Sequence, residues 1–318
     1  MTGRVLVTGA GGFIGSHLVE TLVREGAEVR AYVHYNSRSD WGHLAADVEV
    51  VPGDVRDPFS VARAVEGCEV VFHLAALIGI PYSYVAPQSY VETNVAGTVN
   101  VLEAARRHGA RVVHTSTSET YGTARYTPID EAHPLQGQSP YSASKIGADK
   151  MAESYARSFG LPVSVLRPFN TYGPRQSLRA VIPTIMAQAL AGGPVRLGSR
   201  EPVRDLTFVE DMVAAFLAVT RSDAVDGQPL NAGSGQGISV GALAALILEL
   251  LGSEAEVAED PARVRPVDSE VGELVCDASA LRATTGWEPR VPLREGLVAT
   301  ADWVRENLER LRPALYHL

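Results

Sequence analysis

A chain of 318 residues with 46% apolar and 20% charged side chains has the makeup of a globular protein with an ample core. Its 28 basic and 37 acidic residues leave a net charge of -9, which argues against nucleic acid or an anionic membrane surface as the main partner. Two cysteines, Cys68 and Cys276, are too few for a disulfide framework or a zinc site, and no metal is expected. Without a signal-peptide pattern, or an apolar run near the ~20 residues of a membrane span, the expected location is cytoplasmic.

Arg4–Thr8 is a short β-branched run, predicted as a buried strand. It leads into Gly9-Ala10-Gly11-Gly12-Phe13-Ile14-Gly15, after which Val19, Leu22 and Val23 continue at helical spacing. A glycine motif between a strand and a helix points to a dinucleotide. Gly9 serves the tight turn, Gly12 the approach of a pyrophosphate, and Gly15 the packing of helix on strand. With Phe13 and Ile14 of the same turn, these are the first candidate cofactor residues.

The second strand, Glu28–Val33, ends without the acid that often holds an adenosine ribose. Asn36 suits a ribose hydroxyl, and Arg38 suits a 2′-phosphate or the adenine face, so NAD and NADP both stay open. Val48–Val51 is the third strand; beyond it Asp54 is placed to accept from the adenine amino group, with Val55 beside it. Val70–Ala76 is the fourth, and its end, Leu74-Ala75-Ala76, lets a cofactor backbone come close. His73 in this strand is expected to be a buried structural histidine.

Asn94 is expected to open a long amphipathic helix. The next strand, Arg111–His114, delivers Thr115-Ser116-Thr117-Ser118-Glu119 at its carboxyl end, where ligands of open α/β sheets sit. A helix from Tyr141 to about Ser158 then places Tyr141 and Lys145 one turn apart on one face. An ammonium beside a phenol is expected to lower its pKa from ~10 and make it a usable proton acceptor. Alone, Tyr-x-x-x-Lys is a weak signal.

After Pro174 the alternation of strand and helix breaks. Helices are expected at Ala180–Ala191, from Arg204-Asp205 to about Arg221, at Val240–Leu251, at Leu281–Trp287 and at Leu293–Leu311. Strands are expected at Val195–Leu197 and Leu230–Gly233. Glu254–Pro266 reads as an exposed connection.

Taken together, the chain resembles an extended short-chain dehydrogenase/reductase of the nucleotide-sugar epimerase/dehydratase family. The matching pieces are Thr8–Gly15, Gly53-Asp54-Val55, His73–Ala76, Asn94 with Gly97-Thr98, Ser116–Gly122, Tyr141-x-x-x-Lys145 and Arg167–Arg175. The resemblance implies a Rossmann-type doubly wound parallel sheet with a smaller α/β substrate domain. Residues 1–175 would bind the cofactor, with 205–235 returning to them; 176–204 and 236–318 would bind a nucleotide-diphosphate sugar. It further implies a homodimer, and a role for Asn94 in cofactor binding. Tyr141 would deprotonate the C4 hydroxyl as hydride leaves to nicotinamide, Lys145 would hold the nicotinamide ribose, and Thr117 would bond the C4 oxygen. Asn170, Arg204 and Arg265 would hold the diphosphate, with Arg175 and Arg179 as weaker candidates.

Glu119 separates the activities found in this family. Epimerases usually carry a small neutral residue there, whereas a 4,6-dehydratase needs a base for the C5 proton, which the C4 ketone acidifies. Thr-Ser-Glu is similar to GDP-mannose 4,6-dehydratases; dTDP-glucose dehydratases often have Thr-Asp-Glu, so Ser118 stands here in place of an acid. UDP-glucuronate decarboxylases look alike in this triad. Leu77–Tyr84 and His34–Arg38 more resemble the 4,6-dehydratases that act on N-acetylhexosamine nucleotides in legionaminic-acid-type pathways. The expected activity is thus an NAD-dependent 4,6-dehydratase, with a 4-epimerase or decarboxylase as the alternative. A non-catalytic NAD(P)-sensing regulator would dispense with the tyrosine or lysine, and both are present.

Overall fold

The computed structural model describes residues 3–35, 42–45, 47–222 and 226–311. The first half alternates as expected. β1 (Arg4–Thr8), α1 (Phe13–Arg24), β2 (Glu28–His34), β3 (Glu49–Gly53), α2 (Pro58–Val65) and β4 (Val70–His73) come in order. The short helices α3 (Ile80–Val85) and α4 (Pro87–Tyr90) precede a π-helical stretch, Val91–Ala96. Then follow α5 (Gly97–His108), β5 (Arg111–Thr115), α6 (Pro140–Phe159) and β6 (Val163–Pro168). Asn94 therefore lies in the π-helical stretch and not at the head of a long helix.

The second half holds β7 (Asn170–Tyr172), α7 (Val181–Leu190), β8 (Val195–Leu197), β9 (Val203–Phe208) and α8 (Val209–Thr220). β10 (Pro229–Ala232), β11 (Gly237–Ser239), α9 (Val240–Leu251), β12 (Val257–Glu259) and β13 (Glu273–Leu274) follow. α10 (Ser279–Thr285), α11 (Leu293–Glu306) and α12 (Leu308–Leu311) end the described chain. Two expectations fail here. Arg204–Phe208, expected to open a helix, is strand β9, and the expected exposed connection at Glu254–Pro266 contains β12, paired with β8.

A seven-stranded parallel sheet runs in the order β3-β2-β1-β4-β5-β6-β10. The order reverses between β1 and β4, the switch point at which ligands of doubly wound sheets sit. Val5, Leu6 and Val7 of β1 are at most 1% exposed, because helices cover both faces. Each such side chain contributes roughly 1.5–3 kcal/mol of burial. A smaller sheet is built around β9, which pairs with β7, β11 and β13. Asp205 fastens it: its buried carboxylate accepts from Ser234 N and Oγ (2.8 and 2.6 Å), Gly235 N (2.8 Å) and Cys276 N (3.1 Å). Cys68 and Cys276 are buried and form no disulfide. Among the described residues no helix is long and apolar enough to cross a membrane.

Candidate active site

The glycine turn is closely packed. Gly9 has φ 71°, and a Cβ there would stand 2.9 Å from Ala75 N, so β1's turn lies hard against the end of β4. A Cβ at Gly12 would stand 3.1 Å from the Gly9 carbonyl oxygen, and one at Gly15 would collide with it. α1 begins at Phe13 and Ile14 with no side-chain cap at Gly12 and no acid in its first turn. Its leading N–H groups and dipole are thus left for an anion, and the cradle fits a dinucleotide pyrophosphate. Leu74, Ala75 and Ala76 lie half-buried opposite, with Leu74 N and Ala75 N both bonded to Thr8 Oγ1 at 3.1 Å.

Further along the cofactor edge, Asp54 is paired with Arg56, whose Nε lies 3.0 Å from each carboxylate oxygen. That partner outweighs burial and holds the carboxyl below its usual range. Val55 is buried and packs on Gly97, where a Cβ would meet its Cγ2 at 2.8 Å. Asn94 is 1% exposed and bonded to protein on both sides of its amide: Oδ1 accepts from Leu77 N (2.8 Å), and Nδ2 donates to Leu77 O and Ser144 Oγ (2.9 Å each). It thereby ties the loop after β4 to α6. Asn36 and Arg38 lie outside the described residues.

The redox pair sits on the first turns of α6. That helix starts sharply because Ser139 and Ser142 form a capping box and Pro140 occupies its first turn. Such a cap is worth about 1 kcal/mol. Tyr141 is 7% exposed, and Thr117 is near enough to its phenol to oppose part of the effect of burial. Thr117 also caps the 3₁₀ turn Ser118–Tyr121, accepting from Glu119 N at 3.2 Å. Ser118 is buried, whereas Glu119 is half-buried and close enough to Tyr141 to raise its pKa.

Lys145 is 4% exposed and donates to the Thr115 carbonyl at 2.6 Å. The expectation that it lowers the Tyr141 pKa fails in the free protein. Burial pushes the phenol well up, Thr117 only partly opposes it, and burial drives Lys145 itself down to about 8, with Asp149 opposing. Desolvation outweighs the neighbouring charge because both groups are sealed from water. His73 is structural, as expected: Nδ1 meets Thr8 Oγ1 at 2.8 Å and Nε2 meets Thr98 Oγ1 at 3.0 Å.

Residues 6–300 match the family model described as GDP-mannose 4,6 dehydratase. The chain belongs to that family. It is 32% identical to a UDP-glucuronic acid decarboxylase 1 from Xenopus tropicalis, over 96% of this chain and 73% of the relative. It is 35% identical to a UDP-glucose 4-epimerase from Mycolicibacterium smegmatis, over 96% of this chain and 99% of the relative. Among solved structures it resembles the dTDP-glucose 4,6-dehydratase DesIV from Streptomyces venezuelae, solved with NAD bound. There the TM-score is 0.87 at 32% identity, covering 98% of this chain and 100% of that one. Dehydratase, epimerase and decarboxylase all occur among these members of the epimerase/dehydratase group, and the Rossmann-type sheet is common ground.

Of the remaining candidates, Arg204 and Arg265 are brought together by Glu270. Arg204 on β9 is 8% exposed, feels the charge of Glu119, and has Nη2 3.6 Å from Glu270 Oε1. Arg265 Nη1 lies 3.5 Å from that same oxygen. Asn170 opens β7 with its Oδ1 buried and without a hydrogen-bond partner. Arg179 is exposed and near enough to Tyr90 to influence its phenol. Arg175 is set apart: it pairs with Glu20 of α1 at 2.9 Å and lines another cavity with His43, Trp303 and Arg310. Sequence reasoning passed over Glu270 and Asp149; the signals were an acid five residues after Arg265 and one four residues after Lys145.

Proposed function

We propose that the protein is an NAD-dependent nucleotide-sugar 4,6-dehydratase acting on a UDP- or other nucleoside-diphosphate hexose or N-acetylhexosamine. The observation that supports this reading is that the charge of the half-buried Glu119 carboxylate is felt by both Tyr141 and Arg204. In this reading residues 1–175 hold the cofactor, and 176–204 with 236–318 hold the nucleotide sugar. Arg204, Arg265 and Asn170 meet the diphosphate, for which fixed cationic donors in a partly desolvated cleft are suited.

NAD held at the glycine turn by the N–H groups at the head of α1 would supply the hydride acceptor and donor for this chemistry. Tyr141, as the phenolate that the Lys145 ammonium favours once the cleft is filled, accepts the C4 hydroxyl proton, and Thr117 holds the C4 oxygen. Glu119 then removes the C5 proton; the C6–O bond breaks and the C6 hydroxyl leaves with a proton as water. Hydride adds at C6, a proton returns to C5, and a 4-keto-6-deoxy sugar nucleotide results with no net redox change. Leu77–Tyr84 favours an N-acetylhexosamine as the sugar.

The test is to incubate the protein in D2O with UDP-GlcNAc, UDP-glucose, UDP-glucuronate and their GDP and dTDP relatives. Deuterium at C5 of a keto sugar is the expected result. Inversion at C4 without deuterium would make it an epimerase, and CO2 released from the uronate alone would make it a decarboxylase.

A further inference from the structure

Beneath Tyr141 and Lys145 lies a buried cluster that the proposed reaction does not use. Asp149 is four residues beyond Lys145 on α6, hence one turn along the same face, and is fully buried. Its Oδ2 accepts from Ser116 Oγ at 2.7 Å and from Arg167 Nε at 3.1 Å, and the ion pair brings Arg167 Nη2 to 3.1 Å as well. Its Oδ1 faces His114 Nε2 at 3.3 Å, without the alignment of a hydrogen bond. Arg167, 1% exposed, continues to the Tyr121 phenol at 3.0 Å, and that phenol donates to Asn231 at 2.7 Å. One buried carboxylate thus pairs with the buried Arg167 and lies one helical turn from the buried Lys145, whose charge it supports. An ammonium sealed from water tends to shed its proton unless an anion supports it, and the Thr115 carbonyl that Lys145 meets is neutral.

We propose that Asp149 is a positioning residue for the redox pair: its carboxylate keeps Lys145 charged beneath the substrate, and Arg167 competes for it. This rests on the redox role given to Tyr141 and Lys145 above. The charged and titratable groups around the cluster are Tyr141 on α6, Tyr90 on α4, His73 on β4, His114 on β5, Arg167 on β6, and Glu119 and Tyr121 in the turn after β5. Burial first, then neighbouring cations, hold His73 and His114 below their ordinary value, so both are neutral near pH 7 and add no positive charge.

The sequence contains only two lysines, Lys145 and the exposed Lys150, which makes a direct test practical. Full-length protein carrying ε-13C lysine gives two resonances, and Lys150→Arg assigns them. Lys145 is expected to titrate near about 8. Asp149→Asn, nearly the same shape without the charge, should move that midpoint down by about one unit or more. Ser116→Ala, which removes one donor from Oδ2 and leaves the charge, should move it up by a few tenths of a unit.

A purely structural Asp149 predicts the opposite for Asp149→Asn, since a loosened pocket admits water and returns Lys145 toward its ordinary, higher value. An unchanged or raised midpoint there overturns the proposal. If that variant does not fold, an unchanged or lowered midpoint in Ser116→Ala overturns it instead. Neither titration uses substrate or turnover, so failure here and failure of the deuterium test are distinguishable.

Discussion

At the proposed redox end of the cleft, Tyr141, Lys145, Ser116 and Asp149 are each less than a tenth exposed and lie beside the central strands β4, β5 and β6. At the proposed diphosphate end, Arg204 comes from the small β9 sheet, and Arg265 and Glu270 come from the connection between β12 and β13. That connection meets the first half through side chains: Tyr84 OH with Ser269 Oγ at 2.6 Å, Gln138 Nε2 with Asp268 O at 3.1 Å, and Thr123 Oγ1 with Glu270 O at 3.4 Å. The first end is fixed by parallel pairing and burial, so its geometry is ready before any ligand arrives. The second is closed by ion pairs and single hydrogen bonds, which an anionic ligand can replace.

The contrast is sharpest in the variant expected to do most harm. In the proposed reaction Tyr141→Phe removes the C4 proton acceptor from a rigid site. Turnover should fall about 10²–10⁴-fold with substrate affinity little changed, as separated by single-turnover kinetics and calorimetric binding. At the other end, Arg204→Met removes a charge-assisted donor worth about 1.5–3 kcal/mol. Nucleotide-sugar affinity should fall roughly 10- to 100-fold, with kcat falling much less. Equal losses in both parameters would mean that Arg204, through Glu119, belongs to the chemistry and not to binding.

A third test reads burial at the redox end as stability. Lys145 titrates near about 8 in the fold, below its unfolded value of ~10.4. Between those values the unfolded chain binds a proton that the native state has released, so this group makes stability rise with pH across that window. Relative to Lys145→Met, the wild-type urea midpoint should climb from pH 8 to pH 10. A constant difference would show that Lys145 is not desolvated.

The redox end was also the more legible in sequence. Gly9, Gly12 and Gly15 announce their turn because only a residue without Cβ fits there, and Tyr141 and Lys145 share a face through helical period alone. Local pattern carried those features. What escaped was tertiary. The pattern from Arg204 reads as the start of a helix because the helical run from Val209 directly continues it. As a strand paired on both edges, it buries Arg204 through Phe208 and shows no alternation. The direction of the Tyr141 shift was likewise invisible, since spacing reveals the nearby lysine but not how far water is excluded. Asp149 and Glu270 were overlooked because each gains meaning only through partners contributed by other elements.

Glu270 offers the smallest and most discriminating effect. Its Oε1 sits 3.6 Å from Arg204 Nη2 and 3.5 Å from Arg265 Nη1, bridging the two cations assigned to the diphosphate. A bound diphosphate must share those cations with the carboxylate or displace it, so Glu270 opposes binding even while it holds the free cleft together. The pair is partly solvated, which limits its worth to about 1 kcal/mol, or roughly fivefold in affinity. Glu270→Gln should therefore bind nucleoside diphosphates up to about fivefold more tightly, the gain shrinking as salt screens the pair. Weaker binding would mean that Glu270 orients the two arginines for the ligand, and that the diphosphate end is as preorganised as the redox end.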